Sequence, residues 1–127
     1  MIKISFMSLI VMQLLSLNLY AKSMVYSIEQ AIPISIKTHK SIFFIVASNK
    51  CPHYVHYIQN TINPNIDRLS NQYVIAIADV ADGDSIPEDL PFHSVLPSTY
   101  IIGSDGKILA GPLEGDFPEK SLLKLMR

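Results

Sequence analysis

The single cysteine of this 127-residue chain, Cys51, stands between an apolar run and a proline, and that placement restricts what the surrounding chain can form. Residues 42–47 (I-F-F-I-V-A) are short, β-branched and aromatic and bounded by polar residues on both sides, which predicts a buried strand. Pro52 has the φ of a first-turn helical residue and no N–H to satisfy, so a helix is expected to start there, with His53 and Tyr54 carrying the orphan backbone donors. Those donors are expected to face the sulfur. With Lys50 and the His53 imidazole nearby, they favour the thiolate over the thiol, as in a reactive cysteine.

Residues 1–21 stand apart. Lys3 gives a short positive start, residues 4–19 are mostly apolar, and no acid occurs before Glu29, which reads as a secretory signal peptide. Cleavage is expected after Ala21, or after Ser23, where Ala21 and Ser23 form a better small-residue pair. An uncleaved membrane anchor is the alternative, and the segment would then be the only membrane contact. Ser5, Ser8, Gln13, Ser16 and Asn18 weigh against it, diluting a span already short of ~20 apolar residues. The implied location is periplasmic or otherwise exported, with one domain over residues 24–127. In an oxidising compartment a lone cysteine has no intrachain partner, so its thiol needs a chemical reason. Losing residues 1–21 removes only Lys3 among the charges and moves the formal net charge from −1 to −2, which implies no nucleic-acid partner.

Along the rest of the chain, Ser27 with Gln30 three residues on predicts a capping box and a helix over residues 27–39. Pro33 lies far enough inside it that an irregular first turn, or a start nearer Ile32, is expected. After the cysteine, Tyr54, Val55, Ile58 and Ile62 give one apolar stripe of a helix. Asn63-Pro64 is expected to break that helix, with Asn63 capping a short piece over residues 64–70. Residues 73–80 predict a second buried strand, parallel to the first through a right-handed crossover. Residues 98–103 and 107–110 flank Ser104-Asp105-Gly106, a hairpin signal. Asp116 and Glu119 are expected to cap a final helix whose Leu122, Leu123 and Met126 cover the sheet. The acids Asp79, Asp82, Asp84, Glu88 and Asp89 lack the spacing of a calcium loop and read as a solvated loop.

This order of elements resembles the small exported thioredoxin-like proteins, over residues 27 to the end. K-S-I-F-F-I-V-A-S-N-K-C-P-H-Y is similar to the family's strand and cysteine, and V-L-P-S-T-Y-I-I-G-S-D-G-K-I-L to its cis-proline strand and hairpin. The resemblance implies an α/β thioredoxin-like fold: a central mixed sheet of about four strands flanked by helices, the last two strands an antiparallel hairpin. It implies that Pro97 is cis and lies beside Cys51, with Leu96 offering its backbone to an extended substrate.

The departures matter as much. Cys51-Pro52-His53 begins like Cys-x-x-Cys, but Tyr54 replaces the second cysteine. Ile45 stands where thioredoxins bury an acid, and Lys50 where they often carry tryptophan. One thiol can still attack a disulfide, but release then requires an outside thiol such as glutathione or the substrate's second cysteine. His53 could stabilise the thiolate and Tyr54 could donate its hydroxyl to the sulfur, or the two could be a solvated residue and a packing residue. The site expected is therefore Cys51, His53, Tyr54 and Pro97 for the chemistry, with Pro52 and Leu96 against the substrate. Monothiol thiol–disulfide exchange with protein or small-molecule thiols and disulfides is favoured. A thioredoxin-fold binding module without chemistry is the alternative. A copper or other metal carrier is weaker, because Cys51, His53 and His56 do not share a helix face. No cofactor, metal or nucleic acid is expected.

Overall fold

The computed structural model describes residues 25–126, and the expected signal segment lies outside them. In chain order the elements are β1 (Val25–Tyr26), α1 (Ile28–Thr38), β2 (Ser41–Ala47) and α2 (Pro52–Tyr57). A π segment (Ile58–Ile62) and a 3-10 turn (Asn63–Asn65) lead into α3 (Ile66–Gln72) and β3 (Tyr73–Asp79). After a 3-10 turn (Val80–Asp82) and a long loop come β4 (Ser98–Ile102), β5 (Ile108–Glu114) and α4 (Glu119–Leu125). The strands form one mixed sheet in the order β1-β3-β2-β4-β5. β2 runs parallel to β3 and antiparallel to β4, and β4 and β5 form the expected antiparallel hairpin. The sheet has five strands rather than about four. The extra one is β1, two residues pairing Val25 with Ile75 and Tyr26 with Ala76, too short to leave a pattern in sequence.

The unbroken apolar run of β2 follows from its central place, covered on both faces. Ile42, Phe44 and Val46 pack with Ala31 of α1 and Tyr100 on one side. Phe43, Ile45 and Ala47 pack with Tyr57, Leu69 and Leu122 on the other. Phe43 and Phe44 are both fully buried, each worth about 1.5–3 kcal/mol by the area it removes from water.

Four details differ from expectation. α1 carries the expected capping box, Ser27 Oγ accepting from the Gln30 N–H and Gln30 Oε1 from the Ser27 N–H, and so begins at Ile28 rather than nearer Ile32. Pro33 is accommodated inside this helix on an exposed face. Asn63 caps nothing, since its own backbone is helical (φ −57°, ψ −43°) and the chain stays helical through the π segment. The break falls at Asn65, whose backbone leaves helical geometry (φ −112°, ψ 11°) and whose buried side chain donates back to Thr61 O at 2.7 Å. Neither Asp116 nor Glu119 caps α4. Its N-cap is Pro118, and Asp116 turns to His56 instead. Finally, Val55 is exposed while Tyr57, Thr61 and Ile62 are buried, so the buried stripe is centred one position away from the one expected.

Candidate functional site

Cys51 is the N-cap of α2, in extended conformation (φ −93°, ψ 118°), at the C-terminal edge of the sheet just beyond β2. Its backbone is fixed by a tight turn: Cys51 N–H donates to Ser48 O at 2.9 Å, and Cys51 O accepts from Tyr54 N–H at 3.1 Å and Val55 N–H at 3.3 Å. The preceding turn is held by acids read from sequence as a solvated loop. Asn49 N–H reaches both Asp79 oxygens at 3.3 and 3.2 Å, and Asn49 Nδ2 donates to Asp82. Asp84 in turn accepts from Asp79 N–H at 2.8 Å. These carboxylates lock the β2–α2 connection to the end of β3.

Among the described residues the half-buried sulfur makes one polar contact, to Leu96 O at 3.9 Å, with the thiol as a weak donor. It accepts no cap hydrogen bond from the helix N-terminus, contrary to the expected arrangement. The Leu96–Pro97 peptide bond is cis and Pro97 is buried. Around this peptide the carbonyls are otherwise engaged: Val95 O accepts from Ser98 Oγ at 2.6 Å and Pro97 O from Gly115 N–H at 2.7 Å. Among the described residues Leu96 O has no partner except the sulfur.

The remaining expected residues divide. Pro52 is exposed at the first helical position, and His53 is exposed with no hydrogen-bond partner among the described residues. Tyr54 is partly buried against Ile45 and its neighbours, and its hydroxyl does not reach the sulfur. Burial, and secondarily the Asp79 carboxylate, push its phenol up, so it stays protonated. Tyr54 thus packs against the core on this face of the sheet. Ile45 is fully buried. No three His, Cys, Asp or Glu side chains among the described residues gather as a metal site, and His56 is paired with Asp116.

Three contacts at the site were not foreseen. Tyr57, fully buried, shares a hydroxyl–hydroxyl hydrogen bond of 2.9 Å with Thr99, also fully buried and paired with Ile45 across the sheet. Burial pushes the Tyr57 phenol far up, outweighing the Thr99 bond, so it too stays protonated. His93 Nδ1 lies 2.8 Å from Glu114, tying the loop before Pro97 to the end of β5, and His56 with Asp116 ties α2 to the segment just after. The partners lie 42, 21 and 60 residues apart, which local pattern does not report. Polar Ser98 and Thr99 opening an otherwise apolar strand were the available signal.

No family model matches the chain, and no curated protein sequence does. Solved structures similar to it include the solution structure of a thioredoxin from Thermus thermophilus, 20% identical, with a TM-score of 0.61 over 81% of this chain and 83% of that one. The C-terminal domain of Neisseria meningitidis DsbD in the oxidised form is 17% identical, with a TM-score of 0.59 over 79% of this chain and 94% of that one. Both likenesses are of fold.

Proposed function

We propose, from the thioredoxin-like fold that this chain has in common with both structures, that it is an exported monothiol thiol–disulfide exchange protein acting through Cys51. The observation that carries the reading is the place of the thiol: the N-cap of α2, half-buried, 3.9 Å from a Leu96 carbonyl that has no other partner among the described residues. An extended substrate lying along Leu96, in front of Pro97, would meet the sulfur side-on. The Cys51 thiolate attacks one sulfur of a substrate disulfide; a new S–S bond forms, the old one breaks, and the electron pair leaves with the released substrate thiolate. With Tyr54 in place of a second cysteine, the mixed disulfide is resolved by an outside thiolate, glutathione or another small thiol, or by the substrate's own freed sulfur. Cys51 then departs as thiolate with no net oxidation of this chain. His53, exposed and without a partner among the described residues, is free to stand beside the thiolate as a donor, while Tyr54 serves packing.

Under mild oxidation with glutathione disulfide, the wild-type protein is expected to accumulate a glutathione adduct or a Cys51-linked dimer, resolved by intact mass, and Cys51→Ser to form neither. The Sγ, which accepts nothing from the helix N-terminus, favours a second reading, a binding module without chemistry. A thiol that reacts no faster than free glutathione at neutral pH would select it. Export is tested separately. Protein from the envelope fraction should begin at Lys22 or Met24, whereas an intact Met1 in membranes would mean a retained anchor.

A further inference from the structure

We infer that Tyr57 and Thr99 are positioning residues that set the thiol against the Leu96 backbone. The inference rests on the exchange reading above. The two halves of the site belong to different elements. Cys51 opens α2 and Tyr57 closes it, while Leu96 and Pro97 lead directly into β4, where Thr99 is the second residue. The Tyr57–Thr99 hydrogen bond joins these elements at 2.9 Å, and both side chains are 0% exposed.

The other side-chain ties of this helical stretch go elsewhere. His56 reaches Asp116, Thr61 Oγ1 donates to Phe117 O at 3.1 Å, and the Tyr57 ring packs on Phe117 with centroids 4.9 Å apart. All of these anchor the helix to the segment after β5. Among the described residues, and apart from the Cys51 Sγ–Leu96 O contact itself, the Tyr57–Thr99 bond is the one side-chain hydrogen bond between α2 and β4, the strand that Leu96 and Pro97 lead into. α2 also has just six residues before the backbone turns to π geometry, so little intrinsic stiffness holds its first turn in place. Neither hydroxyl titrates near neutral pH, so the tie holds across the range in which a thiol works.

Positioning makes a claim that packing alone does not. A reagent that needs only the sulfur should be indifferent to the pair. A substrate that must also lie along Leu96 should be sensitive to it. The test compares Tyr57→Phe, Thr99→Val and the double variant with wild type. Two rates are measured: alkylation of Cys51 by iodoacetamide, and release of thionitrobenzoate from an extended peptide carrying it on a cysteine. The peptide rate is expected to fall about tenfold in each single variant with the alkylation rate and its pH profile unchanged. Each single variant leaves one buried hydroxyl unpaired and should melt at a lower temperature, which the double variant, with neither hydroxyl, should largely regain. Its peptide rate should stay low. A peptide rate that returns with thermal stability, or one that never falls, overturns the inference. If wild type itself releases no thionitrobenzoate, the exchange reading fails and the pair is judged by amide hydrogen exchange. Faster exchange at Cys51 and Tyr54 in Tyr57→Phe, with Ile75 and Ala76 still protected, upholds the tie, and unchanged exchange ends it.

Discussion

Replacing Tyr54 by cysteine is expected to give a protein that closes its own disulfide, where the parent, on the proposed reading, can form only mixed ones. Tyr54 N–H bonds to Cys51 O at 3.1 Å, which puts the two residues one helical turn apart. Side chains so placed have Cβ atoms about 5–6 Å apart before adjustment, close enough for a small movement of the first turn to join the sulfurs. Tyr54→Cys should therefore give, on mild oxidation, a monomer lighter by two hydrogens, and insulin-reducing activity at least about tenfold above the parent. The gain should not come with greater stability. A loop this short gains little from closure, whereas removing a partly buried ring costs roughly 2 kcal/mol or more. A folded variant that never forms the bond would mean that positions 51 and 54 are not aligned for exchange, and the site proposed around them would have to be given up.

The largest loss of stability is expected at Gly111. It lies in the irregular stretch of the β4–β5 ladder, with φ +100°, where a Cβ would sit 2.5 Å from Thr99 O and 3.0 Å from Tyr100 Cα. Gly115 is the natural control, because its φ of +93° is similar but nothing lies within 4 Å of an added Cβ. Gly115→Ala should cost only the left-handed backbone, about 1–2 kcal/mol. Gly111→Ala adds an overlap with backbone that has no rotamer to escape into, about 1–3 kcal/mol more. For a domain of this size each kcal/mol is worth roughly 4–8 °C, so Gly111→Ala should melt at least about 10 °C below wild type and clearly below Gly115→Ala in a thermal scan. Equal melting temperatures for the two variants would mean that the hairpin opens freely at Gly111.

The parts of this fold legible in sequence are those whose cause is local. β2 and β3 were readable because central strands covered on both faces carry continuous apolar runs. The hairpin was readable because Asp105-Gly106 supplies the turn, with Gly106 at φ +85°. Ser27 and Gln30 announced α1 correctly, and Pro33 suggested a disturbance that the helix absorbs on its exposed side. The helical stretch after Cys51 was misread because its irregularities answer to distant groups, Thr61 to Phe117 and His56 to Asp116. The site followed the same division. Cys51 and Pro52 were readable from the residues around them, Leu96 and Pro97 only through the family resemblance, and the structure sets the Sγ against Leu96 O beside the cis Leu96–Pro97 bond without a cap hydrogen bond from the helix N-terminus. Tyr57 and Thr99, which join the two halves, are neighbours only once the sheet is built.

The composition of β5 bears on how these molecules behave in a crowd. As an edge strand it leaves a row of backbone groups unpaired among the described residues, and it begins with exposed Ile108 and Leu109, a combination that invites a second chain to add on. Gly115 N–H turns inward to Pro97 O, so by ladder alternation the nitrogens facing outward are those of Glu114 and, two residues before it, Pro112, which carries no hydrogen. Next to it, Gly111 departs from strand geometry altogether. An incoming strand would find purchase for only a few residues before its ladder failed. The stretch of β5 that runs close to Thr99 inside the sheet thus also interrupts the ladder a second chain could build along this edge.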